Sequence, residues 1–329
     1  MNLAVLKGGG QYRRTTMMMN DLDAKAIPPE RAEPPVAPPE HPMRLLARRY
    51  LKSRVGTAAA ILFLLITLIA IFAPVIAPQD PYDLTKVSIM EAERHPGETS
   101  ADGRTVYLLG TDGAGRDMLS AIFYGLRISL GIGVISALAA LGIGTFMGLL
   151  AAHFGGRLDA IIMRVVDVQL SLPTILVALV LLAVLGQGVD KTLMALVLVQ
   201  WAIFARNVRG AALVERGKEY IEAALGQGLP ARRIMFRHVL PNCMAPLIVT
   251  TTNQMANAIT LEATMSFLGI GLPQTQPSLG LLISNGFDYM LSNQYWISVF
   301  PGVALVLLVV SVSLVGDRLR VALNPKLDS

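Results

Sequence analysis

The chain has 329 residues, of which 53% are hydrophobic and only 16% charged, and its mean hydropathy of +0.54 excludes an ordinary soluble domain. The formal net charge of +5 calls for no nucleic-acid partner, because basic residues concentrated beside anionic membrane lipid account for it. A single cysteine, Cys243, rules out an intrachain disulfide.

Residues 1–43 read as a disordered, proline-rich cytoplasmic tail. Pro28 to Pro42 runs PPERAEPPVAPPEHP, a composition that stays extended and unpacked. A cleaved signal peptide is not expected, since the first apolar run begins after residue 55 and is too long for one. Six apolar runs then follow: Gly56–Ala77, Ile128–Ala152, Leu170–Leu185, Thr192–Ala205, Pro246–Leu272 and Trp296–Val315. Crossing a hydrocarbon core of ~30 Å takes about 20 apolar residues. The expected fold class is therefore all-α integral membrane with six transmembrane helices, the third and fourth short and joined by a tight turn at Gly186-Gln187-Gly188.

Basic residues set the orientation. Arg44, Arg48, Arg49, Lys52 and Arg54 precede the first run, while Arg206, Arg209, Arg216, Lys218, Arg232, Arg233 and Arg237 lie between the fourth and fifth. Arg318, Arg320 and Lys326 follow the sixth, whereas Pro273 to Tyr295 contains no Lys or Arg. Both termini are expected inside. The organisation that follows is a first transmembrane helix with an outer loop over 44–126, a five-helix core over 127–320 with an inner loop at 206–241, and a cytoplasmic tail at 321–329.

Three places invite a chemical reading. The outer loop carries GTDGAGRDMLS, with Gly110, Thr111, Asp112, Gly115, Arg116 and Asp117. It is either an anion or cation loop, or a tight turn into an interfacial amphipathic helix. The inner loop carries EAALGQGLPARRIMFRHVLP from Glu222 to Pro241. Gly228 suits a helix C-terminus at positive φ, and Pro230 the first turn of another helix. A short helix, a sharp turn and a second short helix are expected, with small Ala223 and Ala224 open to another protein's surface. Third, Glu262 is the one acid well inside the fifth run. Burying a carboxylate in hydrocarbon is expensive, so it is either a gate or passage element or a clamp beside Asn253, Gln254 and Asn257.

No catalytic constellation is expected. His41, His95, His153 and His238 are scattered without metal-ligand spacing, and no GxxxxGK[ST] motif is present to hold ATP.

Taken together, the motifs resemble the permease subunits of peptide/nickel-type ABC importers, in the binding-protein-dependent transport permease family. Specifically, GTDGAGRDMLS with YGLRISL resembles the signature of the C-type subunit of dipeptide and oligopeptide permeases. Phe154-Gly-Gly-Arg-Leu-Asp159, Met163-Arg164, Asp167, Ser171-Leu-Pro173, Arg237-His238-Val-Leu-Pro-Asn242, Ser266-Phe-Leu-Gly-Ile-Gly271, Pro277-Ser-Leu-Gly280, Phe300-Pro-Gly302 and Gly316-Asp-Arg-Leu-Arg320 continue the match. The departures are Leu225-Gly226-Gln227 after the Glu-Ala-Ala, Leu229-Pro230 after Gly228, and Leu279 in place of a tryptophan.

The resemblance implies a permease of the type I importer fold in the bacterial inner membrane, itself no enzyme and holding no cofactor. ATP and Mg would sit on two partner ATPase subunits, contacted through Glu222, Ala223, Ala224, Gly228, Arg237, His238, Leu240 and Pro241. A second, homologous permease would complete a heterodimer, an extracytoplasmic binding protein would deliver the solute, and membrane lipid would surround the whole. Di- or oligopeptides are the expected cargo, with glutathione, nickel chelates and opines as alternatives within the class. An ion-coupled secondary transporter is the alternative outside it, disfavoured because no internal repeat or paired broken helices are evident.

Overall fold

The computed structural model describes residues 42–323, apart from 82, 84, 86, 104 and 277. The expected tail therefore lies outside the described residues up to residue 41, as do residues 324–329. Contacts separate Met1–Arg44 from a larger unit, Leu45–Ser329, to which the architecture below belongs. Helix α1 (Pro42–Leu51) begins at this boundary.

Helix α2 (Arg54–Ile76) starts at Ser53, whose hydroxyl accepts a hydrogen bond from the Gly56 amide at 3.3 Å. Its buried residues, Gly56, Ala59, Ile66, Ala70 and Ala73, fall on one helical face. Ile61, Leu64, Leu65, Leu68 and Phe72 are exposed, the arrangement of a helix that turns its other faces to lipid. An outer segment follows, with a short antiparallel pair, β1 (Glu98–Thr99) and β2 (Val106–Tyr107).

Helix α3 (Met118–Phe154) is the organising element. Its 37 residues would span about 56 Å at 1.5 Å per residue, well beyond the bilayer core. The second membrane segment thus begins ten residues earlier than expected, and no separate amphipathic helix precedes it. Asp117 caps the helix by accepting from the Ser120 amide at 2.9 Å, and nothing between Met118 and Ile128 breaks it. The expected domain boundary at 126/127 falls inside this helix.

Gly155 and Gly156, at φ +61° and +55°, turn the chain into α4 (Gly156–Ser171), and α5 (Thr174–Leu185) follows. These two are bent by 93° about Leu172-Pro173, so the expected segment Leu170–Leu185 is broken at its start. Proline has no amide to donate and disfavours helix in the residue before it. Helix α6 (Val189–Arg216) is twice as long as the expected Thr192–Ala205. Residues 206–216 therefore belong to a helix rather than to the inner loop. After α7 (Glu219–Gly226), a turn Ala231–Arg233 passes through a π-helical stretch, Ile234–Val239, into α8 (Leu240–Phe267). A short helix, α9 (Leu279–Phe287), precedes α10 (Trp296–Leu323).

Among the described residues, α2, α3 and α10 are each long and apolar enough to cross a membrane, and the bent α4–α5 pair makes a fourth if it is one broken span. Helices α6 and α8 have 28 residues each but carry polar residues along their length, which takes them below the same measure.

Helices α3, α6 and α8 form the centre. Ile122, Leu126, Leu130, Ala137, Met255, Ile259, Leu308 and Val312 make one core with α2 and α10, and Ala178, Leu182, Leu196, Val199 and Met265 another with α5. Helices α3 and α6 meet almost backbone to backbone. A Cβ on Gly144 would lie 2.5 Å from the Trp201 carbonyl oxygen, and one on Gly148 would lie 2.6 Å from that of Ala205. Small residues four apart are what close helix approach requires where lipid is as apolar as the side chains. Gly148→Leu should force the pair apart and cost about 1–3 kcal/mol, the range for overpacking. The check is a lower thermal unfolding midpoint of the purified protein in detergent; an unchanged midpoint would show that the crossing is not tight.

Candidate functional site

The inner loop is built on its own small core. Ile221 of α7, Ile234 and Val239 of the π-helical stretch, and Cys243 and Leu247 of α8 pack with Leu149 of α3 and Val208 and Ala212 of α6. Helix α7 ends as its glycine predicts, with Gly228 at φ +71°. The Leu229 amide reaches back to the Ala224 carbonyl at 3.3 Å and Gly228 to Leu225 at 2.9 Å, closing the helix end. Pro230 stands as the cap of the next turn rather than inside it.

The outward face carries Glu222, Ala223, Arg232, Arg233, Phe236 and Arg237, all exposed. Ala224 does not belong to it. With 7% exposure it faces the loop core, so of the two alanines only Ala223 is open to another surface. His238 and Leu240 are half-buried, and Pro241 is exposed in the first turn of α8.

A polar network fastens α7 to the bundle. Glu215, buried at the end of α6, accepts a hydrogen bond from the Tyr220 hydroxyl and pairs with Lys218 at 2.6 Å. Asn242 of α8 donates to the Tyr220 oxygen at 2.9 Å and to the His238 carbonyl at 2.7 Å. Burial works against the Glu215 charge, but the Lys218 and Tyr220 donors outweigh it and hold the carboxyl below its usual range. Burial, then the bond to Glu215, pushes the Tyr220 hydroxyl up to about 12. Charge counting in the sequence did not reveal this network, since its members are individually unremarkable.

The basic residues read as an inside marker also have particular partners. Arg209 forks onto Asp159 of α4 at 2.5 and 2.6 Å, and Arg206 meets Asp167 at 2.5 Å. Arg216 donates to the last carbonyls of α3, at Ala152 and at His153, the latter 2.9 Å away. Cations at a helix C-terminus also complement its dipole.

The glycine-rich outer loop proves to be closed on itself. Asp112 accepts from the Ala114 and Arg116 amides at 2.9 Å each and from the Arg116 guanidinium at 2.7 Å. Thr111 donates to the Glu91 carbonyl at 2.6 Å, and Asp117 is used in capping α3. Gly110 and Gly115 take φ +76° and +83°. A Cβ on Gly115 would lie 2.1 Å from the Ser88 carbonyl oxygen. The Trp296 indole donates to the Thr111 carbonyl at 3.2 Å, tying the loop to the start of α10. With Thr111, Asp112 and Asp117 all buried and engaged within the loop, the anion- or cation-loop alternative gives way to a structural turn.

Glu262 is wholly enclosed, at 0% exposure. Ser129 of α3 donates to one carboxyl oxygen at 2.9 Å and Ser266 to the other at 2.8 Å. The Ser278 hydroxyl also interacts with it. Glu262 therefore lines no open passage in this structure, and its partners are serines, not Asn253, Gln254 and Asn257.

Residues 144–329 match the family model described as binding-protein-dependent transport system inner membrane component. Residues 41–96 match that of the N-terminal transmembrane domain of oligopeptide transport permease C. The chain belongs to the binding-protein-dependent transport permeases. The dipeptide transport system permease protein DppC of Haemophilus influenzae is 38% identical over 279 residues, which cover 84% of this chain and 93% of that protein. DppC of Escherichia coli is 40% identical over 279 residues, 84% of this chain and 91% of that one. The glutathione transport system permease protein GsiD of Pectobacterium atrosepticum is 36% identical over 291 residues, 88% and 92% of the two. Inward-facing structures of the MetNI methionine ABC transporter share the fold, with a TM-score of 0.52 and 20% identity over 63% of this chain and 98% of that one. This permease is thus the inner-membrane component of an ABC importer, with ATP hydrolysed on separate subunits.

A polar row also marks one face of α8. Asn253, Asn257 and Thr260 are exposed on α8, and Thr250 and Thr264 are half-exposed. Their spacing of three and four places all five on one helical face. Threonine hydroxyls can satisfy themselves on the preceding turn, as Thr260 does on the Ala256 carbonyl at 3.0 Å. Asn257 donates to the Gln254 side chain at 3.1 Å, but an amide carries two donors and an acceptor, more than one such bond satisfies, so this face is poorly suited to lipid. At one end it opens into a cavity of about 620 Å³ bounded by Asn207, Ala211, Thr250, Asn253 and Arg320. The 3.5-residue rhythm of Asn and Thr was visible, but the charge of Glu262 drew those residues into a cluster around itself.

Two outcomes test these placements. Because the Glu215 carboxyl is held below its unfolded value, the stability it confers is present above the ordinary carboxylate range and lost as pH falls through the folded value. Hydrogen-exchange protection of the α7 amides should therefore fall below about pH 4, and Glu215→Gln should remove that pH step. A step of equal size in the variant would count against the network. Separately, Glu262→Ala should lower stability by about 1–3 kcal/mol by orphaning the buried serine hydroxyls around it, while Glu262→Gln retains most of it. Equal thermal midpoints for Glu262→Ala and the native chain would refute the clamp.

Proposed function

We propose that this chain is the C-type permease of a peptide importer, working as half of a heterodimer with two ATPase subunits and an extracytoplasmic binding protein. The polar face of α8, running from Thr250 to Thr264, is the observation that carries the transport reading. A row of amides and hydroxyls on a membrane helix is best served by a water-filled path or a polar partner face. Peptides bring hydrogen-bonding backbone of every sequence, and uncharged Asn and Thr offer contacts without demanding one side chain. The names of the relatives point the same way: two are dipeptide permeases, and the third carries glutathione, itself a tripeptide.

The inner loop is the coupling element in this reading. Glu222, Ala223, Arg237 and Pro241 face the ATPase, Gly228 sets the turn, and Leu240 and His238 anchor the base. In this reading the six apolar runs are six membrane segments, and the distribution of basic residues puts both termini and this loop on the inside. Closure of the ATPase dimer would displace α7 and the π-helical stretch together and shift α8 between two packings. For that to move the equilibrium, the ATPase must contact the loop differently in the two states.

Reconstitution with the partner subunits tests this. Glu222→Lys reverses a charge on the docking face, and Gly228→Val strains a positive-φ position; both should insert normally yet lose ATP-driven peptide uptake. Asn253→Leu combined with Asn257→Leu should instead keep ATPase association while uptake falls at least tenfold. If the Asn variant transports normally and the loop variants still fail, the path is wrong but the coupling loop stands. Uptake by this chain without any ATPase would overturn the importer reading itself.

A further inference from the structure

We propose that the cavity at the loop end of the α8 polar row receives the C-terminal carboxylate of the cargo peptide, with Arg320 as the residue that binds it; this rests on the peptide reading above. The cavity, of about 620 Å³, lies between three helices: Asn207 and Ala211 come from α6, Thr250 and Asn253 from α8, and Arg320 and Leu323 from α10. Its volume falls in the range of about 300–1,000 Å³ usual for small-molecule sites.

Arg320 is directed at this space by the packing of its own helix. Gly316 lies one turn earlier on the same face of α10 and meets α8 closely. A Cβ added there would lie 2.9 Å from the Thr252 Cβ and 3.3 Å from the Asn253 side-chain oxygen. Past that contact the longer side chain of Arg320, which is exposed, extends into the gap between the helices. It is the one cation in the cavity wall, and no carboxylate is in that wall. Among the described residues Arg320 is in no salt bridge, whereas Arg206 and Arg209 of α6 are each occupied by an aspartate of α4.

Peptides of different sequence share only a backbone, an amino terminus and a carboxyl terminus. A guanidinium presents two parallel N–H donors that match a carboxylate, and the Asn253 amide beside it suits the last peptide group. The Asn207 amide, which donates to Thr250 at 3.2 Å, has a second N–H and a carbonyl to offer. The row itself consists of asparagines and threonines, so the charge of Arg320 distinguishes one of its ends. That gives a bound peptide a direction, carboxylate towards the inner loop. From Asn253 to Thr264 the row rises about 16 Å at 1.5 Å per residue, room for roughly five extended peptide residues.

Photolabelling of the whole importer complex provides the test, in nanodiscs of phosphatidylcholine and without the binding protein, so that the latter's own selectivity does not enter. The two probes are a dipeptide with a diazirine side chain as its free acid, and the same dipeptide as its C-terminal amide. Mass spectrometry should find the free acid on residues 245–253 at about tenfold lower concentration than the amide, the effect of one hydrogen-bonded charge. Arg320→Gln should abolish that preference while the ATPase subunits still co-purify, and Arg320→Lys should restore part of it. Equal labelling of the native chain by acid and amide would overturn the proposal, as would an acid preference that survives Arg320→Gln. Blocking by an equal concentration of inorganic phosphate, or by phosphatidylglycerol added to the nanodiscs, would assign Arg320 to anions in general or to lipid and overturn it as well. ATP-driven uptake by the native complex with its binding protein separates this site from the reading beneath it. Uptake of the free acid combined with equal labelling removes the site and leaves the peptide reading standing, whereas no uptake from a mixed library of di- to pentapeptides removes both.

Discussion

Gly144 and Gly148 allow α3 to lie against α6 with almost no side chain between them, and much of the molecule takes its place from that contact. Once α6 is pressed along α3, its far end projects past Phe154 and puts Arg216 over the carbonyls that α3 leaves unpaired. About two and three turns back, Arg209 and Arg206 reach the carboxylates of α4. Glu215 is delivered to the spot from which Tyr220, and so α7, is suspended. A crossing fixed by the absence of atoms thus determines where the charged groups can meet. The inner loop is rigid at its root because the bundle is tight at its centre.

Much of this was legible beforehand. Continuous apolar runs predict membrane helices with few alternatives, and Gly228 predicts the end of α7 and its turn from backbone stereochemistry alone, whereas the expected second short helix after Pro230 is instead the start of a rod that runs through the π-helical stretch into α8. Helix ends were less accessible. Asp117 extends α3 outward because a capping carboxylate and an unbroken helical stretch outweigh the polar character of Ser120 and Arg127. Pro173 cuts the third segment where hydropathy alone runs through it. Basic residues counted collectively gave an orientation, yet that count could not show that Arg206, Arg209 and Arg216 each hold a specific group on another helix.

The two polar features of α8 show a different kind of blindness. A carboxylate in an apolar helix attracts a functional reading because its desolvation is costly. Here three serines from separate elements, α3, α8 and the start of α9, supply what solvent would have supplied. The neutral amides at Asn253 and Asn257 cost less to bury and draw less notice, but they are the ones turned outward. Periodicity, rather than charge, distinguishes a side chain that holds helices together from one offered to something outside.

The π-helical stretch between the inner loop and α8 has a geometric consequence. Each π turn accommodates one residue more than an α turn within a helix that otherwise continues unbroken. Ile234–Val239 therefore sets the rotational phase between Arg237, on the loop's outward face, and the Asn253 row several turns along the same rod. If the stretch relaxed to α-helical winding, the two would turn relative to one another by up to about 100°, the angle of one residue. A push on the loop could then emerge along α8 as a twist as well as a translation, with the amide row swinging away while the loop's own contacts stay in place.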